Sequence, residues 1–336
     1  MIGYSLLVHI FRSDTFLEVV MIVSLGEALI DFIYNESGGK SSFTPAPGGS
    51  PFNTAIAIRR LAVPTVYVSK LSTDLFGNML VAHLEDNEVD TSALLRSSRP
   101  TTLAFAKIVN HKAEYAFYTN GSADRSITAS EISKAIHSLP APPECIQIGS
   151  ISLALEPGAQ AIHDIILARD QRIMVSFDPN IRPSMVDDRG VYLKRLEDLF
   201  TSVNIVKISD EDLEWIYPEL DLDDAARLIL SKGPQACVVT HGIKGSYWFG
   251  EGFKAFAPTN PITVVDTIGA GDTFHAGLLA YLYRESLLTR PGLSGISERQ
   301  AELALTFATH AAEGTCKKQG ADPPRIDEVL ALMPRT

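Results

Sequence analysis

Asp266-Thr267-Ile268-Gly269-Ala270-Gly271-Asp272 runs directly into Thr273-Phe274-His275-Ala276-Gly277 and an apolar helical pattern. The segment before it, Pro261-Ile262-Thr263-Val264-Val265, is rich in β-branched residues and reads as a strand or its approach. After it, Phe274, Leu278, Leu279 and Leu282 recur at helical spacing. Gly269 and Gly271 then sit in a turn feeding a helix N-terminus, where unpaired N–H groups and the helix dipole attract an anion. Asp272 in that place would repel a bound anion unless it has another task. With a phosphoryl group on those amides, its carboxylate lies within reach of an attacking hydroxyl's proton. A base beside an anion hole is the minimum equipment for phosphoryl transfer to an alcohol. Spacing alone also allows a plain Gly-rich turn with Asp272 as a helix cap.

The 336 residues are 46% apolar and carry a net charge of −11, with acids and bases interspersed. That allows one large or two modest domains with a substantial core. It argues against a nucleic-acid partner, which needs a basic stripe, and against an anionic membrane surface. Cys145, Cys237 and Cys316 fit neither metal-ligand nor disulfide spacing, so they read as core packing in a reducing cytoplasm. No apolar run reaches the ~18 residues of a membrane span. Residues 1–20 are interrupted by Asp14 and Glu18, lack a basic leader and cleavage site, and precede a second methionine, Met21. They read as an N-terminal extension.

Ile22 to Ile30 is a mostly apolar run ending in Asp31, which reads as a buried central strand. Similar runs cover Thr65–Ser69, Cys145–Ile148, Ile173–Phe177, Asn204–Ile208 and Ala236–Val239, with helical patterns between most of them, as over Phe52–Leu61, Gly158–Arg169 and Val191–Phe200. This alternation predicts an α/β fold, a mostly parallel sheet with helices on both faces and ligands at the strands' carboxyl ends. Asp31, Asp178 and Lys207 fall near those ends. Two segments break the pattern, 32–47 and 101–122, the second a hairpin of Thr101–Val109 and Glu114–Thr119. Neither has its own crossover helix, so the two are expected to pair as a small β lid, with ordinary edge strands as the alternative. The core then comprises 21–31, 48–100 and 123–336.

Pro47-Gly48-Gly49-Ser50-Pro51-Phe52-Asn53 places Ser50 as an N-cap with Pro51 at the first helical position. Gly48 and Gly49 permit close backbone approach, and Asn53 offers an amide to a polyol from the first turn. In Ser176-Phe177-Asp178-Pro179-Asn180-Ile181-Arg182, the proline stops a strand and presents Asp178, Asn180 and Arg182 on a loop. Arg182 suits sugar oxygens or phosphoryl charge, or else an ion pair with Asp187 or Asp188. Gly39-Lys40-Ser41 resembles the tail of a phosphate loop, but Tyr34 holds the place of its first glycine. The eight histidines show no zinc spacing. A dinucleotide fold would need G-x-G-x-x-G after the first strand, where this chain has Gly26-Glu27 and no third glycine.

Together, Asp266–Asp272 and Gly48–Asn53 resemble the two signatures of the PfkB/ribokinase family of sugar kinases. Ser50-Pro51 and Ser72-Thr73-Asp74-x-x-Gly77 are similar to its fructokinase branch. The resemblance runs from about Met21 to Pro324. It implies a ribokinase-like three-layer α/β/α sandwich with a small β lid. It also implies Asp272 as catalytic base, with Gly269, Ala270 and Gly271 forming the anion hole. The sugar would be held by Asp31, Gly48, Gly49, Asn53 and Arg182, under lid aromatics such as Phe105, Tyr115 and Phe117. ATP would lie on Lys207, Thr240, Gly242, Gly245, Gly271 and Thr309. Many family members organise Mg²⁺ through Asn-x-x-Glu; Ser209 and Asp212 occupy those places here. A monovalent cation such as K⁺ would sit on Asp266 and Ile268 with carbonyls of Thr315, Lys318 and Gly320. The expected acceptor is fructose, giving fructose 6-phosphate. The alternatives are 2-keto-3-deoxygluconate, ribose and adenosine, or a sugar or nucleotide sensor without turnover. An apolar lid hairpin further suggests a homodimer through the lid, in the cytoplasm.

Overall fold

The apolar run from Ile22 divides between two sheets. The computed structural model describes residues 21–37, 40–109 and 112–334, so the extension expected over residues 1–20 lies outside the described residues. Strand β1 (Ile22–Leu25) stops before Gly26, and β2 (Leu29–Ser37) joins a different sheet. The carbonyls released at the break are taken up by one side chain. The Tyr67 hydroxyl donates to the Glu27 carbonyl at 2.7 Å and lies 3.0 Å from that of Gly26. Asp31 therefore stands within β2, not at the end of a central strand.

After β2 come β3 (Lys40–Gly48), α1 (Ser50–Arg60), β4 (Thr65–Val68), β5 (Lys70–Ser72), α2 (Leu75–Asp86) and β6 (Leu95–Ser97). The hairpin β7 (Thr102–Val109) and β8 (Lys112–Tyr118) leads into α3 (Ala129–His137), β9 (Cys145–Gly149), α4 (Gly158–Ala168), β10 (Met174–Asp178), α5 (Arg189–Phe200) and β11 (Ile205–Ser209). The remainder is α6 (Asp210–Ile216), α7 (Leu222–Ser231), β12 (Ala236–Thr240), β13 (Ser246–Gly250), β14 (Phe253–Ala257), α8 (Ala270–Arg284), α9 (Arg290–Ser294), α10 (Glu298–Cys316) and α11 (Ile326–Leu330).

The main sheet has the order β14-β13-β12-β11-β10-β9-β1-β4. Pairing is parallel from β4 to β12 and antiparallel at the β13–β14 edge. Strands covered on both faces need apolar residues at successive positions, and alternate residues serve opposite layers. Val23, Ile146, Val175 and Val206 face one core with residues of α3, α4, α5 and α7. Ile22, Cys145, Met174 and Ile205 face another with residues of α1, α8 and α10. This is the three-layer sandwich expected from the sequence.

The two insertions pair in a second sheet, ordered β3-β2-β7-β8, with β2 and β7 parallel. It starts at Leu29 and closes at Gly48, wider than the 32–47 boundary set from sequence. On its outer face Phe32 stacks on Phe105 at 4.7 Å, with Phe43 and Tyr118 meeting Phe105 edge-on. Pro261–Val265 forms no strand. The Val265 amide bonds to the Cys316 carbonyl at the end of α10, and no neighbouring strand completes a ladder. No helix among the described residues is long and apolar enough to cross a membrane.

Candidate active site

Helix α8 starts from Gly269, whose φ of 75° is left-handed; a β carbon there would stand 2.7 Å from that of Ala321. Only glycine meets both demands. The Ala270 amide bonds to the Thr267 carbonyl at 3.2 Å. Gly271 and Asp272 thus supply the first-turn amides suited to an anion, since neither has an intrahelical partner by geometry. Asp272 is buried, and its carboxylate does not cap its own helix. It reaches across to α1, where Ser50 Oγ donates to Oδ1 at 2.6 Å and Asn53 Nδ2 donates to Oδ2 at 2.9 Å. Burial pushes the Asp272 carboxyl above the usual range, opposed by these two donors. One turn on, His275 hydrogen-bonds Ser176 at 2.6 Å; burial pushes its imidazole down to about 4, so it stays neutral and fixes the rotation of α8.

Ser50 is not the N-cap of α1. Gly49, with φ 114°, takes that place, and the Ser50 hydroxyl is spent on Asp272 instead. The Ser50 amide donates to Glu27 Oε1 at 3.2 Å, while Glu27 Oε2 accepts from the Ser152 amide at 3.1 Å and from the Ser152 hydroxyl. Glu27 thereby ties the start of α1 to the turn after β9. Burial pushes its carboxyl up to about 7, against the Ser152 bond that lowers it.

These elements enclose a cleft of about 280 Å³. Leu29, Asp31, Ile33 and Phe117 line it from the second sheet; Gly49, Ser50 and Asn53 from α1; Gly269, Gly271 and Asp272 from α8; and Asn180 and Arg182 from the loop after β10. Asp31 is half-buried, and desolvation pushes it up to about 6, with Arg182 lowering and Asp272 raising it. Asp31 pairs with Ala104, and Ala104 with Phe117, so those three share the cleft face. Phe105 pairs with Phe32 and therefore points to the outer face, away from the cleft. Gly48 ends β3 beside Leu29 and is not among the lining residues. Arg182 donates to Asn180 Oδ1 at 2.7 Å, leaving Asp188 to cap α5.

Lys207 and Thr309, both expected at the nucleotide, are buried. The Lys207 ammonium sits 2.8 Å from Asp178 Oδ2, directly beneath Gly271, where a β carbon would approach it to 3.3 Å. Thr309 follows buried Leu305 by one helical turn and shares its inward face. Thr240 ends β12, beside Ser209 of β11, and the turn after it carries left-handed Gly242 and Gly245.

Ser209 and Asp212, expected near a metal, are both hydrogen-bonded locally. Ser209 caps α6 by accepting the Asp212 amide at 3.0 Å, and Asp212 Oδ1 accepts the Ile181 amide at 3.0 Å. Burial pushes Asp212 up to about 6, with Asp178 adding to the rise and Lys207 and the Ile181 amide opposing it. Among the described residues no group of three or more His, Cys, Asp or Glu is arranged to hold a metal. Asp266 joins the two loops expected around a monovalent cation, accepting the Ile268 amide at 3.1 Å and the Gly320 amide at 2.9 Å. The Thr315 carbonyl accepts the Lys318 amide at 2.9 Å.

Several lining residues escape sequence reasoning: Glu27, Ser50 as a partner of Asp272, Ser150 and Ile151. Only Glu27 leaves a trace, an acid inside an apolar run, and a buried polar group is the informative exception.

Comparison with known proteins agrees with this geometry. Residues 20–328 match the model of the pfkB family carbohydrate kinases. The chain is 37% identical over 280 residues to a fructokinase of Rhizobium leguminosarum bv. trifolii, covering 83% of this chain and 85% of that one. It is 32% identical over 323 residues to fructokinase-1 of Oryza sativa subsp. japonica, covering 93% and 97%. Its fold matches a crystal structure of fructokinase with bound ATP from Xylella fastidiosa with a TM-score of 0.84, at 25% identity over 93% of this chain and 97% of that one.

Proposed function

We propose that this chain, which belongs to the pfkB family of carbohydrate kinases, is an ATP-dependent fructokinase. It moves the γ-phosphoryl group onto the primary hydroxyl of fructose and releases fructose 6-phosphate and ADP. One observation carries the reading: a buried carboxylate, Asp272, held by two donors at the same helix turn as the anion-binding amides. The sugar lies between Asp31 and Asn53, with Gly49 and Arg182 beside it and Phe117 over its apolar side. Asp272 accepts the hydroxyl proton as that oxygen bonds to the γ-phosphorus. The bond from phosphorus to the bridging oxygen breaks, and charge on the transferring group falls on the Gly271 and Asp272 amides.

Mg²⁺ carried on the nucleotide's own phosphate oxygens supplies further charge neutralisation. The turn with Thr240, Gly242 and Gly245 flanks the nucleotide. The Asp266–Gly320 junction, rich in hard oxygens, is the place for K⁺. Glu27, Asp31 and Asp272 against Arg182 make the cleft acidic on balance. That favours a neutral ketohexose over the carboxylate of 2-keto-3-deoxygluconate. The second sheet closes over the sugar and excludes water.

The same sheet's outer aromatics, with Phe43 45% and Tyr118 63% exposed, are the surface for a homodimer. A sedimentation mass of a single chain would contradict that assembly. The enzyme is expected to work in the cytoplasm.

A coupled ADP-release screen across fructose, 2-keto-3-deoxygluconate, ribose and adenosine tests the substrate; fructose should give the highest kcat/KM. Asp272→Asn should lower turnover by ~10²–10⁴ and leave ATP binding, followed by calorimetry, largely intact. An Asp272→Asn protein with full turnover would falsify the base assignment.

A further inference from the structure

We propose that Ser50 is a positioning residue for phosphoryl transfer: its hydroxyl, donated from the facing helix to Oδ1 of Asp272, fixes the plane of that carboxylate and holds it as the anion. The inference rests on reading Asp272 as the base, and deepens it.

The Ser50 Oγ to Asp272 Oδ1 distance is 2.6 Å, between two buried side chains on different helices. Ser50 itself has little freedom. Its amide is bonded to Glu27, Pro51 follows it, and left-handed Gly49 precedes it. Among the described residues its hydroxyl bonds to Asp272 and to no other side chain or carbonyl. One turn later Asn53 grips the other oxygen, Oδ2, at 2.9 Å. A carboxylate held at both oxygens by residues of one helix cannot rotate, yet each oxygen keeps a second lone pair for an incoming hydroxyl. The grip leaves the base aimed and open.

The charges around Asp272 give the bond a second consequence. Asp31 faces it from the second sheet, Asp178 from β10 and Lys207 from β11, with Arg182 across the cleft and Glu27 behind Ser50. Burial above all, and then Asp178, favour a protonated Asp272, which could not accept the sugar's proton, while Lys207 opposes them. Neutral donors oppose that push without adding charge that would compete for the phosphoryl group. Ser50 is better suited than Asn53 to this service alone, because the Asn53 amide also faces the sugar.

The test compares Ser50→Ala and Ser50→Thr in single turnover, at saturating fructose and ATP, from about pH 5 to 9. Losing one hydrogen bond to the ionised form should move the acid limb of the transfer rate up by about one pH unit. The plateau should fall by roughly tenfold as aim is lost, KM for fructose should hold, and Ser50→Thr should restore the limb. Two results overturn the proposal: an acid limb that stays put in Ser50→Ala, even with a uniform fall in rate, or a raised KM at unchanged rate. With Asp272→Asn inactive, either of these rejects Ser50 and spares the base. An active Asp272→Asn rejects both.

Discussion

Replacing Lys207 by methionine keeps the length of the side chain and strands a carboxylate. The Lys207 ammonium and Asp178 Oδ2 are 2.8 Å apart, with side chains 5% and 2% exposed. The other oxygen, Asp178 Oδ1, has no hydrogen-bond partner among the described residues. The ammonium is therefore the carboxylate's main support, and water cannot readily replace it. Breaking one partner out of such a pair costs about 3–5 kcal/mol, most of it the penalty of the unpaired charge. With an unfolding entropy of about 2.1 cal/mol/K per residue, a chain of this length should lose about 4–7 °C in Tm. Calorimetry at neutral pH reads that loss. Adding Asp178→Leu should return most of it, since an apolar pair of similar volume is often neutral or better. A Tm loss under about 1.5 °C in Lys207→Met would refute the burial argument, because it would mean that Asp178 finds another partner at little cost. Turnover adds a second reading. The ammonium lies beneath Gly271, so transfer should slow along with the fall in stability. Full activity in a destabilised variant would separate the pair from the chemistry.

Two titrations follow from the same cleft. Burial raises Asp31 to about 6, so below that pH it increasingly loses the charge that, on the proposed reading, accepts a sugar hydroxyl. KM for fructose should climb as pH falls through about 6, and Asp31→Asn should flatten the trend; a KM independent of pH in the unaltered enzyme would refute this. Glu27 concerns stability. Its folded value, about 7, exceeds the unfolded 4.5, so its favourable contribution is complete below pH 4.5 and is lost as pH rises through about 7. The decline in Tm over that interval should shrink in Glu27→Gln, and an unchanged slope would mean that another group causes it.

The three-layer sandwich is legible in the sequence because each buried strand carries an unbroken apolar run and most crossovers a helical pattern. Asp272, Asn53 and Arg182 are legible for a related reason: glycine or proline beside each fixes where the chain must turn. What stays hidden depends on partners distant in sequence. An apolar run does not say where its ladder changes sheets, so β1 and β2 read as one strand, although Glu27 marked the break. Val264 and Val265 have strand propensity, but the Val265 amide is taken by the end of α10 and not by a strand. The outward turn of Phe105 depends on a one-residue register between β2 and β7. The resemblance puts Lys207 at the nucleotide but does not show that Asp178 on the adjacent strand pairs with its ammonium. Ser209 and Asp212 share a spacing that serves a helix cap as well as a metal site, and the cap is formed here.

Asp31 and Asp272 stand on separate structural bodies, the first on the four-stranded sheet and the second on the sandwich. A ketohexose carries several hydroxyls on one rigid frame and can bridge the two, drawing them together as it reacts. A lone water molecule offers a single oxygen and no such strut. On the proposed reading, division of the grip between two bodies makes the acceptor the brace that assembles its own reaction chamber, which disfavours transfer to solvent.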